Sequence, residues 1–527
     1  MQMTHLLLLA RGWQQCAAAP ATGAIGYPHG LMALAESIGV QARVLHSMLL
    51  VAGEDESDSG EVLTGAASDG SAGTVIRLVV PTESGVVRVV ATELPQAITA
   101  PGAQNGIERY REAGLRLGRH ASTGVIWCDP PETDPSATTA AQLDALWVGV
   151  LLGMQRPGCD DRQAPPEPPG FADSCVGELV LPSERARAQA QAIWWVRDLV
   201  ERPANLLGPE EFAQEIHAFA AAHGVGVDVE VWRADALAER RFGALLAVGT
   251  GSVRPPLAVR MRWGRASSAC EPGAPDARRA LSDGALGLVG KGITFDTGGV
   301  NLKRDPGELA WMKSDMAAAA SIAAAVVFAS QLGGDGPGVE AILPICDNTL
   351  SGAAVRPGDV VTHPDGRTTE VVDTDCEGRL VIADGLSWLR SQGAAMLLDS
   401  GTLTDGGAGM LRTGVWANDP ELSRALIARA EAAGDPLWAL PLPYGEAQVL
   451  QSSVADLRNA PTDRPDMGRH AAIYLALIAA DTPWVHLDIG GTAYLESECA
   501  GWPEGPTGAG TVAIAEAILA WNAGSLQ

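Results

Sequence analysis

The chain has 527 residues, 46% of them hydrophobic and 19% charged, the composition of a soluble globular protein. That length is too great for one ordinary core, so two domains are expected. The formal net charge of −26 argues against a general affinity for nucleic acid phosphates or anionic membranes.

The N-terminal MQMTHLLLLARGW has an apolar run of only about five residues and no basic segment before it, so a first β-strand is expected rather than a signal peptide. No uninterrupted apolar run reaches the length of a membrane span. VIRLVV (75–80) and GVVRVVATEL (85–94) read as strands, GEDESDSG (53–60) as an acidic loop, and QLDALWVGVLLGM (142–154) as a helix. The prolines of RPGCDDRQAPPEPPGF (156–171) make it a linker or surface loop. A helical pattern then starts at Ser183 and runs towards Asn205. Beyond it the strand-like runs LGLVG, VEAILPI, AAMLLDS and WVHLDIGG alternate with helical stretches such as AAAASIAAAVVFASQL and LVIADGLSWLRSQ. Such alternation predicts an α/β sheet with helices on both faces and a ligand site at the carboxyl ends of its strands. Eight cysteines, at 16, 128, 159, 175, 270, 346, 376 and 499, form no CxxC pair and read as the reduced thiols of a cytoplasmic protein.

Two stretches carry chemistry. LVGKGITFDTGGVNLKRDPGELAWMKSDMAAAA (288–320) sets Lys291, Asp296, Lys303 and Asp315 among glycines and apolar flanks, and DTDCEGRLVIAD (373–384) adds Asp375, Glu377 and Arg379. Charged groups at strand ends and in core-like segments need compensation when buried, and a pair of divalent cations supplies it. Each residue has an ordinary reading as well. Asp296, just ahead of two glycines, could be a turn residue, Asp315 could cap the Ala-rich helix, and Lys303 and Arg379 could be surface charges.

Together the two stretches resemble the leucyl aminopeptidase family, the di-zinc M17 exopeptidases. The family's Lys, Asp five residues on and Lys seven further are met by Lys291, Asp296 and Lys303. Its Met-x-x-Asp-Met element is met by Met312–Met316, and its Asn-Thr-Asp-Ala-Glu-Gly-Arg-Leu signature by Asp373–Leu380. Further on, Arg197–Val200 with Pro203–Asn205, WALPLP (438–443), Ala455–Leu457 with Asn459, and WVHLD (484–488) resemble other elements of the family. The likeness covers roughly the last two-thirds of the chain. The first third matches in size and α/β character.

The resemblance implies a two-domain α/β protein. A macro-like N-terminal domain would span 1–155, a linker and connecting helix 156–200, and a catalytic domain with a mixed sheet 201–527. It further implies a metal-dependent aminopeptidase acting on short peptides, assembled as a homohexamer. Asp296 and Glu377 would bridge two divalent ions, Lys291 and Asp315 would complete one site, and Asp375 with a backbone carbonyl would complete the other. Zn²⁺ is the family metal, with Mn²⁺, Mg²⁺ or Co²⁺ able to exchange. Lys291 would have to be neutral to ligate, which requires a lowered pKa. Lys303 would stabilise the oxyanion, and Arg379 would hold a bicarbonate that acts as general base. Met312, Thr402, Leu403 and Asp405 would line the substrate pocket, whereas His486 and Asp488 would be structural. The alternative is a catalytically weakened hexamer with a scaffold or DNA-binding role. Asp373 stands where the family has Asn, and Asp405 where it has Gly, so Asp405 is expected to narrow the pocket or favour basic N-terminal residues.

Overall fold

The structure is a computed structural model that describes residues 4–9, 62–65, 73–82, 85–93, 106–119, 124–128, 140–153, 170–173, 179–180 and 182–526, apart from 265–283, 335, 405–407 and 500. The chain divides into two compact units, Met1–Gln191 with Glu498–Pro503, and Ala192–Ser497 with Glu504–Gln527.

The first unit holds strands β1 (Thr4–Leu9), β2 (Val62–Gly65), β3 (Gly73–Thr82), β4 (Gly85–Glu93), β5 (Gly124–Cys128), β6 (Gly170–Asp173) and β7 (Leu179–Val180). They form one mixed sheet in the order β2-β3-β4-β1-β5-β6-β7. The N-terminal apolar run is indeed a strand, parallel to both β4 and β5. Helices Gly106–Gly118 and Ala140–Gly153 accompany the sheet. Gly170 and Phe171, read from the sequence as the end of a linker, instead begin β6, where they pair with β5. The acidic loop 53–60 and residues 156–169 lie outside the described residues.

The second unit adds β8 (Asp228–Trp232), β9 (Leu257–Trp263), β10 (Leu286–Gly290), β11 (Gly292–Asp296) and β12 (Val339–Asn348). After a hairpin, β13 (Val360–Thr362) and β14 (Thr368–Glu370), come β15 (Met396–Gly401), β16 (Thr413–Ala417), β17 (Leu437–Ala439), β18 (Leu457–Arg458) and β19 (Trp484–Asp488). The main sheet has nine strands in the order β17-β16-β19-β15-β10-β12-β9-β8, with β11 beside β12. Its centre, β12-β10-β15-β19, is parallel. Its flanks β16 and β9 run antiparallel to their inner neighbours. The central strands are buried at every residue, which is why they read as continuous apolar runs rather than alternating ones.

Helices cover both faces. Val289 faces Gly385 of helix Glu377–Ser391, whereas Gly290, its neighbour in β10, abuts Ala319 of helix Ala317–Leu332 on the other side. The helical run Pro306–Leu332 is long and apolar enough to cross a membrane by length and composition, but 89% of its apolar window is buried inside the protein. It is a core helix.

Candidate metal centre

The main sheet delivers Lys291 and Asp296 where β10 breaks into β11, and the ends of β12 and β15 bring Asn348 and Thr402 against them. Lys291 is the single residue between β10 and β11. Its backbone is fixed on both sides, since its N–H donates to Ser400 O (3.0 Å) and its C=O accepts from Ala319 N (2.9 Å). The side chain is 5% exposed. Its Nζ lies 2.8 Å from Asp315 Oδ1 and 2.9 Å from Glu377 Oε1, and it donates to Thr402 O at 3.0 Å. Gly378 is required here, because a Cβ at that position would come within 2.6 Å of Lys291 Cδ and Cε.

Asp296 ends β11 and is buried. Its Oδ1 accepts from Gly298 N and from Asn348 Nδ2, each at 2.8 Å, and its Oδ2 is 3.1 Å from Lys303 Nζ. Lys303 Nζ also lies 2.6 Å from Asp375 Oδ1. Gly298 has φ +84°, and a Cβ there would sit 2.7 Å from Asp375 Oδ1, so the turn needs glycine on both counts. Asp315 sits on the 3₁₀ turn Met312–Met316, and its Oδ1 accepts from Thr402 Oγ1 at 2.7 Å. It does not cap the following helix, which has no side-chain cap. Glu377 opens helix Glu377–Ser391 and is buried.

Ligand atoms of Asp296, Asp375 and Glu377 all lie within 4.8 Å of one another. Asp315 Oδ2 is buried and has no hydrogen-bond partner. Buried carboxylates this close repel one another, and the cost appears in their proton affinities. Burial, together with the charges of Asp296 and Glu377, pushes Asp315 up to about 8 against the pull of Lys291. Burial and Asp296 push Asp375 and Glu377 up to about 7. Lys291 and Lys303 respond in the opposite sense. Burial works against their charge, but the surrounding carboxylates outweigh it and hold both pKa values above the ordinary lysine value. The lowered pKa expected of Lys291 is therefore not a property of the protein groups alone; it requires cations to replace the proton. Hard oxygen donors, an orphaned carboxylate oxygen and a buried amine together fit a site for divalent cations.

Thr402 and Leu403 are half-buried beside Lys291, Met312 shares the turn that carries Asp315, and Asp405 lies outside the described residues. Asp488 holds this loop, accepting from Thr404 Oγ1 at 2.6 Å and Gly490 N at 2.9 Å. His486 is buried in β19, with Nδ1 2.5 Å from Asp399 Oδ1 and its ring stacked on Trp484. Asp373 Oδ1 accepts from Asp375 N at 2.9 Å, shaping the loop that presents Asp375. Asp305, in the segment following Lys303, caps the short helix Pro306–Trp311.

Two residues were missed in the sequence. Asn348, the last residue of β12 and 1% exposed, donates through Nδ2 to Asp296 Oδ1 (2.8 Å), Thr374 O (3.0 Å) and, more weakly, Glu377 Oε2 (3.4 Å). Its signal was a polar pair, Asp347-Asn348, closing an apolar strand at its carboxyl end. Asp466 forms a two-pronged ion pair with Arg379, and the sequence holds no cue to that long-range contact.

Comparison with known proteins gives a consistent result. The catalytic-domain model of the cytosol aminopeptidase family matches residues 194–515. A probable cytosol aminopeptidase of Solibacter usitatus (strain Ellin6076) is 39% identical over 351 residues, 66% of this chain and 69% of its own. Probable cytosol aminopeptidase 1 of Shewanella oneidensis (strain MR-1) is 33% identical over 457 residues, 84% of each chain. Among solved structures, the bottromycin maturation enzyme BotP in complex with Mn is 28% identical at a TM-score of 0.70, covering 99% of this chain and 100% of its own. A cytosol aminopeptidase from Coxiella burnetii, 23% identical, shares the fold with a TM-score of 0.70 over 100% of this chain and 98% of its own. The chain belongs to the cytosol aminopeptidase family, M17, and is a metal-dependent peptide hydrolase of the aminopeptidase class.

Proposed function

We propose that the chain releases the N-terminal residue of short peptides at a two-metal centre. The observation that carries this reading is the convergence of Asp296, Asp375 and Glu377 within 4.8 Å, beside a buried Lys291 and an orphaned oxygen of Asp315. Asp296, Glu377, Lys291, Asp315 and Asp375 would hold the ions, with Lys291 ligating as the neutral amine. Bound divalent ions supply a water acidic enough to act as hydroxide at neutral pH and a Lewis acid for the scissile carbonyl. Zn²⁺ is the first choice, and Mn²⁺, Mg²⁺ and Co²⁺ suit the same oxygen donors. Lys303, protonated and held at the cluster's edge, is placed to meet negative charge as it develops on the carbonyl oxygen. Lys291 and Lys303 thus serve in opposite charge states.

Met312, Thr402, Leu403 and Asp405 line the pocket for the N-terminal side chain. The first 155 residues form a non-catalytic, macro-like domain, 156–200 connect it, and 201–527 carry the chemistry. A cytoplasmic homohexamer completes the reading. A scaffold or DNA-binding role is not favoured: the cluster is complete, and the net charge of −26 opposes phosphate binding. The bicarbonate expected at Arg379 does not fit this site, because the edge of the guanidinium that would hold it is already paired with Asp466.

The test is hydrolysis of aminoacyl-4-nitroanilides by purified protein, metal-stripped and then supplied with Zn²⁺, Mn²⁺ or Co²⁺, with bestatin as control. Metal-dependent, bestatin-sensitive cleavage is expected. Measurable metal binding without turnover under any metal would overturn the reading.

A further inference from the structure

Arg379 lies in the first turn of helix Glu377–Ser391, two residues after Glu377, and its side chain is 2% exposed. Its Nη1 donates to Asn459 O at 2.7 Å and to Asp466 Oδ1 at 3.1 Å, and its Nη2 donates to Asp466 Oδ2 at 2.5 Å. Two parallel bonds from a guanidinium edge to two oxygens on one carbon are the geometry by which arginine binds any planar oxyanion. Bicarbonate and carboxylate offer that same fork, so they compete for the same edge.

The competition is unequal. Asp466 is anchored two residues before helix Gly468–Ala479, so its carboxylate arrives without the translational entropy that a dissolved anion loses on binding. Its remaining neighbours leave it in place. Cys376 Sγ is 3.7 Å from Oδ2, and His470 Nδ1, 3.4 Å from Oδ1, accepts a hydrogen bond from Met467 N and so presents no proton to it. Asn459 in turn is locked between the strand and the metal loop. Its Oδ1 accepts from Val372 N at 2.7 Å, and its Nδ2 donates to Asp373 O at 2.6 Å, which fixes the carbonyl that shares Arg379.

We infer that the Asp466 carboxylate occupies the anion seat on Arg379, so that this enzyme carries its own oxyanion and has no use for a diffusible bicarbonate. The inference rests on the aminopeptidase reading above. In turnover the attacking water gives one proton to a carboxylate oxygen of Asp466, while its oxygen lone pair forms the bond to the scissile carbonyl carbon. The C–N bond then breaks with its electron pair going to the amine nitrogen. That nitrogen takes the same proton, and the Asp466 carboxylate is regenerated with no net consumption of acid or base.

Three forms of the metal-loaded, full-length protein test this: wild type, Asp466→Gly and Asp466→Asn. In buffer stripped of carbon dioxide, wild type is expected to keep its full rate. Asp466→Gly is expected to fall by about 100-fold and to recover when bicarbonate is added. Asp466→Asn still fills the seat but accepts no proton, so it is expected to stay slow with or without bicarbonate. A readout independent of turnover accompanies these rates: broadening of the ¹³C resonance of labelled bicarbonate, expected with Asp466→Gly and absent with wild type. Wild type that slows on bicarbonate removal, or that broadens the resonance, overturns the inference, as does an Asp466→Gly form that neither binds bicarbonate nor responds to it. If no form cleaves any peptide, the aminopeptidase reading has failed instead, and the resonance experiment still decides who holds the seat. Should Asp466→Gly not fold, wild type and Asp466→Asn are sufficient for the decision.

Discussion

Replacing Asn348 with alanine isolates a residue that holds two carboxylates of the cluster. In the wild type, Nδ2 supplies one short hydrogen bond to Asp296 Oδ1 at 2.8 Å and a long one to Glu377 Oε2 at 3.4 Å. After truncation, Asp296 Oδ1 keeps only the Gly298 N–H at 2.8 Å. One well-formed hydrogen bond to a charged acceptor contributes about 1.5–3 kcal/mol, and the 3.4 Å contact adds little at its length. A loss of that size corresponds to about 10–100-fold in metal affinity, the range expected when a group orienting a ligand is removed. The assay is activity of Asn348→Ala against free Zn²⁺ or Mn²⁺ held by a metal buffer, with kcat taken at saturation. The expected result is a rightward shift of the metal dependence with most of kcat recovered at saturation. An unchanged metal dependence would refute the argument, and a lost kcat at full occupancy would mean that Asn348 acts on substrate rather than on the ligands.

Three further outcomes follow from the same geometry. Because the metal-free carboxylates of Asp375 and Glu377 hold protons up to about 7, and Asp315 up to about 8, metal binding near neutral pH must expel protons. Affinity should therefore rise with pH through that range, and calorimetric titration in two buffers of different ionisation enthalpy should reveal the release; equal apparent heats in both would contradict it. Lys303→Met should lower kcat by about 100–1000-fold with metal content retained, as measured by elemental analysis of the dialysed protein beside its kinetics. Gly378→Ala, whose new Cβ would meet Lys291 and Leu403 Cδ2 at 2.6–2.7 Å, should destabilise the protein by about 1–3 kcal/mol and disturb the Lys291 amine. A thermal melt and metal content indistinguishable from wild type would count against that packing argument.

Much of this was legible in the sequence, for identifiable reasons. LGLVG, VEAILPI, AAMLLDS and WVHLDIGG read as strands of a helix-covered sheet because both faces of β10, β12, β15 and β19 are buried, leaving no polar alternation to confuse them. Lys291, Asp296 and Asp315 stood out because charge inside apolar sequence is conspicuous. What the sequence could not carry was distance. Asp466 lies 87 positions from Arg379, in a polar segment where an aspartate is unremarkable, and only the fold brings the two together. Phe171 was assigned to a linker on the strength of the prolines before it, and strand pairing overrode that local preference.

The two lysines of the cluster have a consequence for how the protein matures. Lys291 and Lys303 together contact Asp296, Asp315, Asp375 and Glu377, so the acidic cluster brings its own counterions from the chain. A site compensated by its own lysines and by protons on its carboxylates does not depend on metal to hold its shape while the polypeptide is being made. Folding and metallation become separable steps, and the ion first installed reflects the supply met by the finished fold rather than a choice made during folding. Loading is then an exchange of protons for metal, and its speed is set by how readily Lys291 gives up its proton.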